Sequence, residues 1–206
     1  MGLTNLIFED STLENEQLEL RDKNGLYYLG PNLTLRSCTL VLRVPASRLL
    51  LRGVKFIDCA LEVKTELKNL TWYDATLKGC RFTGRLFSCD FGRDPYPVSP
   101  HREVGDIEGC DFTAAHVHAC RFMGCDPSTV RFPRWPYFTI LEPLRRVREL
   151  ASTTWPREIR PWFTSIEGSP ATTAAITFSA AALAKEANVS EERIRALLEG
   201  HSDVLS

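Results

Sequence analysis

The 206-residue chain has almost no net charge: Lys plus Arg number 25 against 26 for Asp plus Glu. No overall charge therefore points to nucleic acid or to an acidic substrate. No stretch approaches the ~20 apolar residues that a membrane span needs. The start MGLTNLIFED also lacks the basic head and apolar centre of a secretory signal, and Leu6 stands where a myristoylation signal wants Ser or Thr. These absences predict a soluble, cytoplasmic protein. No C-x-x-C pair, H-E-x-x-H, G-x-S-x-G, phosphate-cradling glycine loop or paired-carboxylate motif occurs. The expectation is accordingly no metal, no cofactor and no catalytic residue.

What the chain does have is a repeat marked by its seven cysteines. Two residues after each comes Leu or Phe, as in Cys38-Thr39-Leu40, Cys59-Ala60-Leu61, Cys80-Arg81-Phe82 and Cys120-Arg121-Phe122; only Cys125-Asp126-Pro127 departs. Cut in fives from Cys110, the chain reads CDFTA, AHVHA, CRFMG, CDPST, VRFPR without a slip. Sixteen such units fit between Leu33 and Arg134, and the central residue is apolar and not proline in fifteen of them. A period of five suits neither an amphipathic helix at 3.6 nor a plain strand at 2. It suits a square coil in which each five residues form a short extended side and a corner. The small residue and the large central one then point inward, and the one between them points out. Four sides make one turn of ~20 residues, stacked at ~4.8 Å. Cys38, Cys59 and Cys80 are 21 apart, which is one such turn plus a bulged residue.

This pattern resembles the pentapeptide-repeat family, most clearly at Cys89-Asp90-Phe91 and Cys110-Asp111-Phe112. The resemblance covers about half the chain. It implies a mainly β fold, a right-handed parallel quadrilateral β-helix solenoid, here with a small α-helical C-terminal cap or appendage. The expected organisation is an N-terminal cap or degenerate first coil over 1–32, the repeat solenoid over 33–134, and an aromatic cap with an α-helical segment over 135–206. In the first part, Tyr27, Tyr28 and Leu29 are candidates to cover the open core. In the last, tryptophans beside prolines between 133 and 170 suggest a plug that closes the final coil.

The interruption RDPYPVSPHREVG holds three prolines and cannot continue a coil, so it reads as a loop extruded over 93–104. Loops on rigid scaffolds often carry function, which makes Arg93, Asp94, Tyr96, His101 and Arg102 the candidate protein-contact residues. His116, His118 and Cys120 mimic a metal cluster. In the repeat frame, however, both histidines face solvent while Cys120 faces the core, so the three cannot converge on one ion. The cysteines are expected to be inert buried fillers.

Toward the C-terminus, the run between Ala174 and Ala184 reads as a helix buried against a partner copy or against the chain's own coil end. The stretch LAKEANVSEERIRALLEG weakly resembles a helix-turn-helix, with a turn at Asn188-Val189 and Ser190 as N-cap. Glu191 and Glu192 occupy the place where DNA reading wants basic or amide side chains.

The function expected is a non-enzymatic protein-binding scaffold, for example an immunity protein that neutralises a bacterial toxin or enzyme by docking a rigid face. Two alternatives stand beside it. The family resemblance implies a DNA mimic that protects a topoisomerase and dimerises through C-terminal helices. However, the region 33–132 counts fourteen basic against eleven acidic residues, where mimicry needs a strongly negative face. The second alternative is DNA binding through the C-terminal helices.

Overall fold

A computed structural model describes residues 4–93, 95–96, 105–146, 155–199 and 204–205. The strands β1 (Thr4–Phe8), β2 (Thr12–Glu14) and β3 (Gln17–Leu20) make the first circuit. On them lie β4 (Gly25–Leu29), β5 (Thr34–Arg36) and β6 (Thr39–Leu42), parallel and in register, with Phe8 against Leu29, Leu13 against Leu35 and Leu18 against Leu40. The circuit repeats through β7 (Leu49–Leu51), β8 (Val54–Ile57) and β9 (Ala60–Lys68). It continues through β10 (Ala75–Lys78), β11 (Arg81–Phe87) and β12 (Asp90–Gly92), then β13 (Asp106–Glu108), β14 (Asp111–His118) and β15 (Cys120–Met123). The chain is a parallel β-solenoid, and its first circuit is paired like the others.

Stacked inward columns fill the tube. One runs Leu13, Leu35, Phe56, Leu77, Ile107, and another Leu18, Leu40, Leu61, Phe82. Further columns place Phe8 with Leu29 and Leu51, and Leu67 with Leu86 and Val117. Tyr27 and Leu29 belong to the inward side of β4. They do not cover an open end, because the first circuit lies beneath them.

The corners explain what precedes each cysteine. Asn15, Ser37, Asp58, Gly79 and Gly109 all have positive φ, as do Asn69, Ser88 and Ala119 at another corner. A left-handed residue turns the chain sharply, and Asn, Asp and Gly tolerate that region best. Most of these corner amides also find a partner on the next coil: Ser37 N–H donates to the Ile57 carbonyl, Asp58 to Lys78 and Gly79 to Glu108. The next residue can then be small and inward. Cys38, Cys59, Cys80 and Cys110 stack there, and their thiols donate to the Leu13, Leu35, Phe56 and Leu77 carbonyls one coil away at 3.3–3.6 Å. Six of the seven cysteines are buried; Cys125, at the departure from the pattern, is half-buried. Burial pushes the Cys120 thiol well above its ordinary range and Cys125 up to about 11, so neither is a thiolate at neutral pH.

The solenoid closes by reversing strand direction. β16 (Tyr137–Leu141) and β17 (Thr173–Ser179) pair antiparallel, and β17 lies antiparallel along β15, with Arg121 opposite Ile176. β18 (Val204–Leu205) adds to the far side of β16. The outer edge of β15 is thereby hydrogen-bonded rather than left open. The run between Ala174 and Ala184 is therefore strand up to Ser179 and helix only afterwards, which differs from the single helix expected. Its β-branched Thr173, Ile176 and Thr177 suit a strand, and the side chains of Ala175, Ile176 and Phe178 are buried against the coil end and the cap.

The cap also holds helices, among them α1 (Arg160–Thr164), α2 (Ala180–Ala187) and α3 (Glu191–Leu198), and residues 143–146 are helical as well. Asn188 terminates α2 in the left-handed conformation, and the Ser190 hydroxyl accepts the Arg193 amide at the start of α3. A second core, separate from the tube, gathers Phe138, Ile159, Phe163, Phe178 and Leu183. Within it Trp155 stacks on Phe163 at 3.9 Å.

Candidate functional site

The interruption after β12 leaves the coil at Arg93 and returns at Gly105, whose amide donates to the Tyr73 carbonyl. Arg93 is held at the coil edge by its own amide on the Met123 carbonyl, and its guanidinium lies 3.6 Å from Asp106. Tyr96 is 67 % exposed. Asp94, His101 and Arg102 lie outside the described residues.

On the flat sides, outward residues form ladders of alternating charge. Asp90 sits opposite Arg121, which binds it through two hydrogen bonds of 2.7 Å. Asp111 bonds Arg131 of the next coil and Thr113 beside it. Partial burial opposes the Asp111 charge, but these hydrogen bonds outweigh it and hold the carboxyl at about 2. Glu14 with Arg36, Glu62 with Lys64 and Lys78 with Glu108 continue the pattern. Exposed pairs of this kind add little stability each. Their consequence is a surface on which acid and base largely cancel.

A concavity lies where the solenoid meets the cap. A cleft of about 540 Å³ runs between the outer face of β11 and β14 and the cap elements β16, α1 and α2. Strand alternation puts Arg85 beside His116 and Phe87 beside His118 on its floor. Tyr137, Trp162 and Glu186 form the opposite wall. The Tyr137 hydroxyl lies 2.5 Å from His116 Nδ1, and the Trp162 indole donates to Glu186 at 2.9 Å. His118 meets Trp162 edge-on at 5.2 Å. The volume lies within the range of ligand and side-chain pockets, and the lining mixes aromatic faces with a few charges.

His118 overturns the expectation that both histidines face solvent. His116 is exposed, but His118 is buried under the returning strand, where its Nδ1 accepts the Ser179 amide at 3.1 Å. The five-residue frame set its direction correctly as outward; what covers it is the cap, which that frame does not contain. Burial lowers the His118 pKa, only partly countered by the Glu186 charge. Since the unfolded chain titrates near 6.5, it takes up a proton before the folded chain does. Stability is therefore full above about pH 6.5 and falls as the pH drops, by at most about 1.4 kcal/mol per unit. Melting temperatures at pH 7.5 and 5.5 are expected to differ more in the native protein than in His118→Asn; equal differences would contradict this.

The sequence reading missed Arg85, Tyr137, Trp162 and Glu186 as members of one site. They lie on four elements far apart in the chain, and no short-range spacing connects them.

Among the described residues, no three His, Cys, Asp or Glu side chains converge as a metal-ligand set. No described helix is long and apolar enough to cross a membrane. Comparison with protein-family models, with characterised proteins and with solved structures finds no match to this chain.

Proposed function

We propose that this chain is a non-enzymatic protein-binding scaffold of the pentapeptide-repeat type, an immunity or inhibitor protein that neutralises a bacterial toxin or enzyme by docking its rigid surface. The observation that carries this reading is the filling of the tube. Phe56, Leu61, Leu77, Phe82, Phe91 and Phe112 are fully buried in contiguous columns, so side chains of the described coils occupy the interior where a substrate would have to be desolvated. What the molecule offers is its outside: registered flat sides and the cleft at the cap junction. A surface held by inter-coil hydrogen bonds loses little conformational freedom on binding, which favours tight inhibition. Recurring left-handed corners one residue before the cysteine support the five-residue repeat as the unit of construction. The pairing of outward carboxylates with Arg and Lys favours a protein partner over imitation of duplex DNA, which needs a continuous negative face.

The test is affinity purification of the tagged chain from its native host, followed by reconstitution with the recovered protein. One dominant partner is expected, bound at a simple ratio and inhibited when bound. Failure to retain any partner under native expression overturns the reading.

A further inference from the structure

We infer that the cleft between the solenoid and the cap takes an extended peptide segment of a protein partner, one in which an aromatic side chain stands between an acidic and a basic residue. This rests on the protein-binding reading above and specifies the chemistry of its site.

The charges in the cleft carry the inference. Of its two carboxylates, Glu66 is neutralised by Lys68 at 3.1 Å, and that same ammonium lies over the Phe87 ring. Glu186 accepts the neutral Trp162 indole and, among the described residues, has no ion-paired Lys or Arg. Arg85 lines the same space and has no ion pair among the described residues, although elsewhere on the solenoid outward arginines such as Arg36, Arg81, Arg121 and Arg131 are paired. One guanidinium and one carboxylate thus face a common cavity from different walls, Arg85 from the solenoid strand β11 and Glu186 from the cap helix α2. The guanidinium fork suits a carboxylate, and Glu186 suits an ammonium or guanidinium.

Aromatic surface lies between them. Phe87, Tyr137 and Trp162 present rings to the cavity, and the T-shaped contact of Phe87 with Trp162, at 6.3 Å between centroids, continues the edge-to-face packing of His118. A flat ring from a partner extends that arrangement, and ring pairs of this geometry gain beyond the area they bury. The floor is two registered strands and the roof is packed on the second core, so the walls are set before the ligand arrives.

The experiment selects a phage-displayed library of random linear peptides on the full chain, then on a charge-reversed Arg85→Glu/Glu186→Lys protein. Circular dichroism and melting curves confirm that both fold alike, which exposed side chains make feasible. The native chain is expected to enrich peptides with an aromatic residue flanked by Asp or Glu on one side and Lys or Arg on the other. Arg85→Gln should weaken a selected peptide ~10-fold, and removing the peptide's acidic residue should then produce no further loss. The charge-reversed protein should prefer the opposite order. Enrichment without this triad, or affinities unmoved by Arg85→Gln and Glu186→Gln, overturns the inference. The partner recovered by affinity purification separates the two claims: its retention by the charge-reversed protein sinks the cleft assignment and leaves the scaffold reading standing.

Discussion

Replacing Phe91 by alanine is expected to destabilise the protein by about 4 kcal/mol and to lower its melting temperature by roughly 10 °C. Phe91 is fully buried and touches four rings: it stacks on Trp72 at 5.7 Å and on Phe122 at 5.2 Å, and meets Phe82 and Phe112 edge-on. Deleting it removes the transfer energy of a large side chain and also opens a cavity that cannot collapse. The backbone around it is pinned by ladder bonds to the coils on both sides. Because each coil is stabilised chiefly by its neighbours, the loss propagates in both directions along the stack. Phe91→Leu, which keeps most of the volume, should fall by only about 1 kcal/mol. Urea unfolding followed by circular dichroism measures both. A loss below about 1 kcal/mol for the alanine variant would mean that the aromatic stack is not the core of the molecule.

Gly84→Ala should be comparably damaging for a different reason. Gly84 has a φ of +93° at the bend within β11, and a Cβ there would lie 1.9 Å from the Val63 carbonyl oxygen. Side-chain rotation cannot relieve this, because the obstacle is the backbone of the neighbouring coil. Together, the strain of the conformation and the forced displacement of Val63 are expected to cost on the order of 3 kcal/mol. Gly168→Ala provides the control: nothing lies within 4 Å of the Cβ position, and its stability should stay within about 0.5 kcal/mol of the native protein. Equal melting temperatures for the two variants would contradict the close approach of the coils at Gly84.

Both substitutions act on what sets the geometry of the surface. The aromatic columns fix the spacing of the coils, and the glycine bend lets β9 and β11 turn a corner while staying paired, with the register shift between Gly84 and Leu86. Arg85 sits at that shift. Its direction into the cleft therefore depends on a backbone feature that an added methyl group would destroy.

Much of the fold was legible in the residues themselves. A small residue, an outward polar one and a large apolar one recurring every five positions satisfy strand alternation only if the chain turns at each repeat, and stacking is then the only way to bury the inward columns. The left-handed corners went unread in the sequence, although Asp58, Gly79, Gly109 and Gly124, each just before a cysteine, are of the types that tolerate positive φ best. Past Arg134 this logic stops. Whether Thr173–Ser179 became strand or helix was decided by the open edge of β15, which offers hydrogen-bond partners to an extended segment and none to a helix. The same docking buried His118, which local pattern had left in water, and brought Tyr137, Trp162 and Glu186 over Arg85. Periodicity encodes which way a side chain points; what arrives to cover it is settled by distant segments competing for the same exposed edge, and only the assembled chain contains that competition.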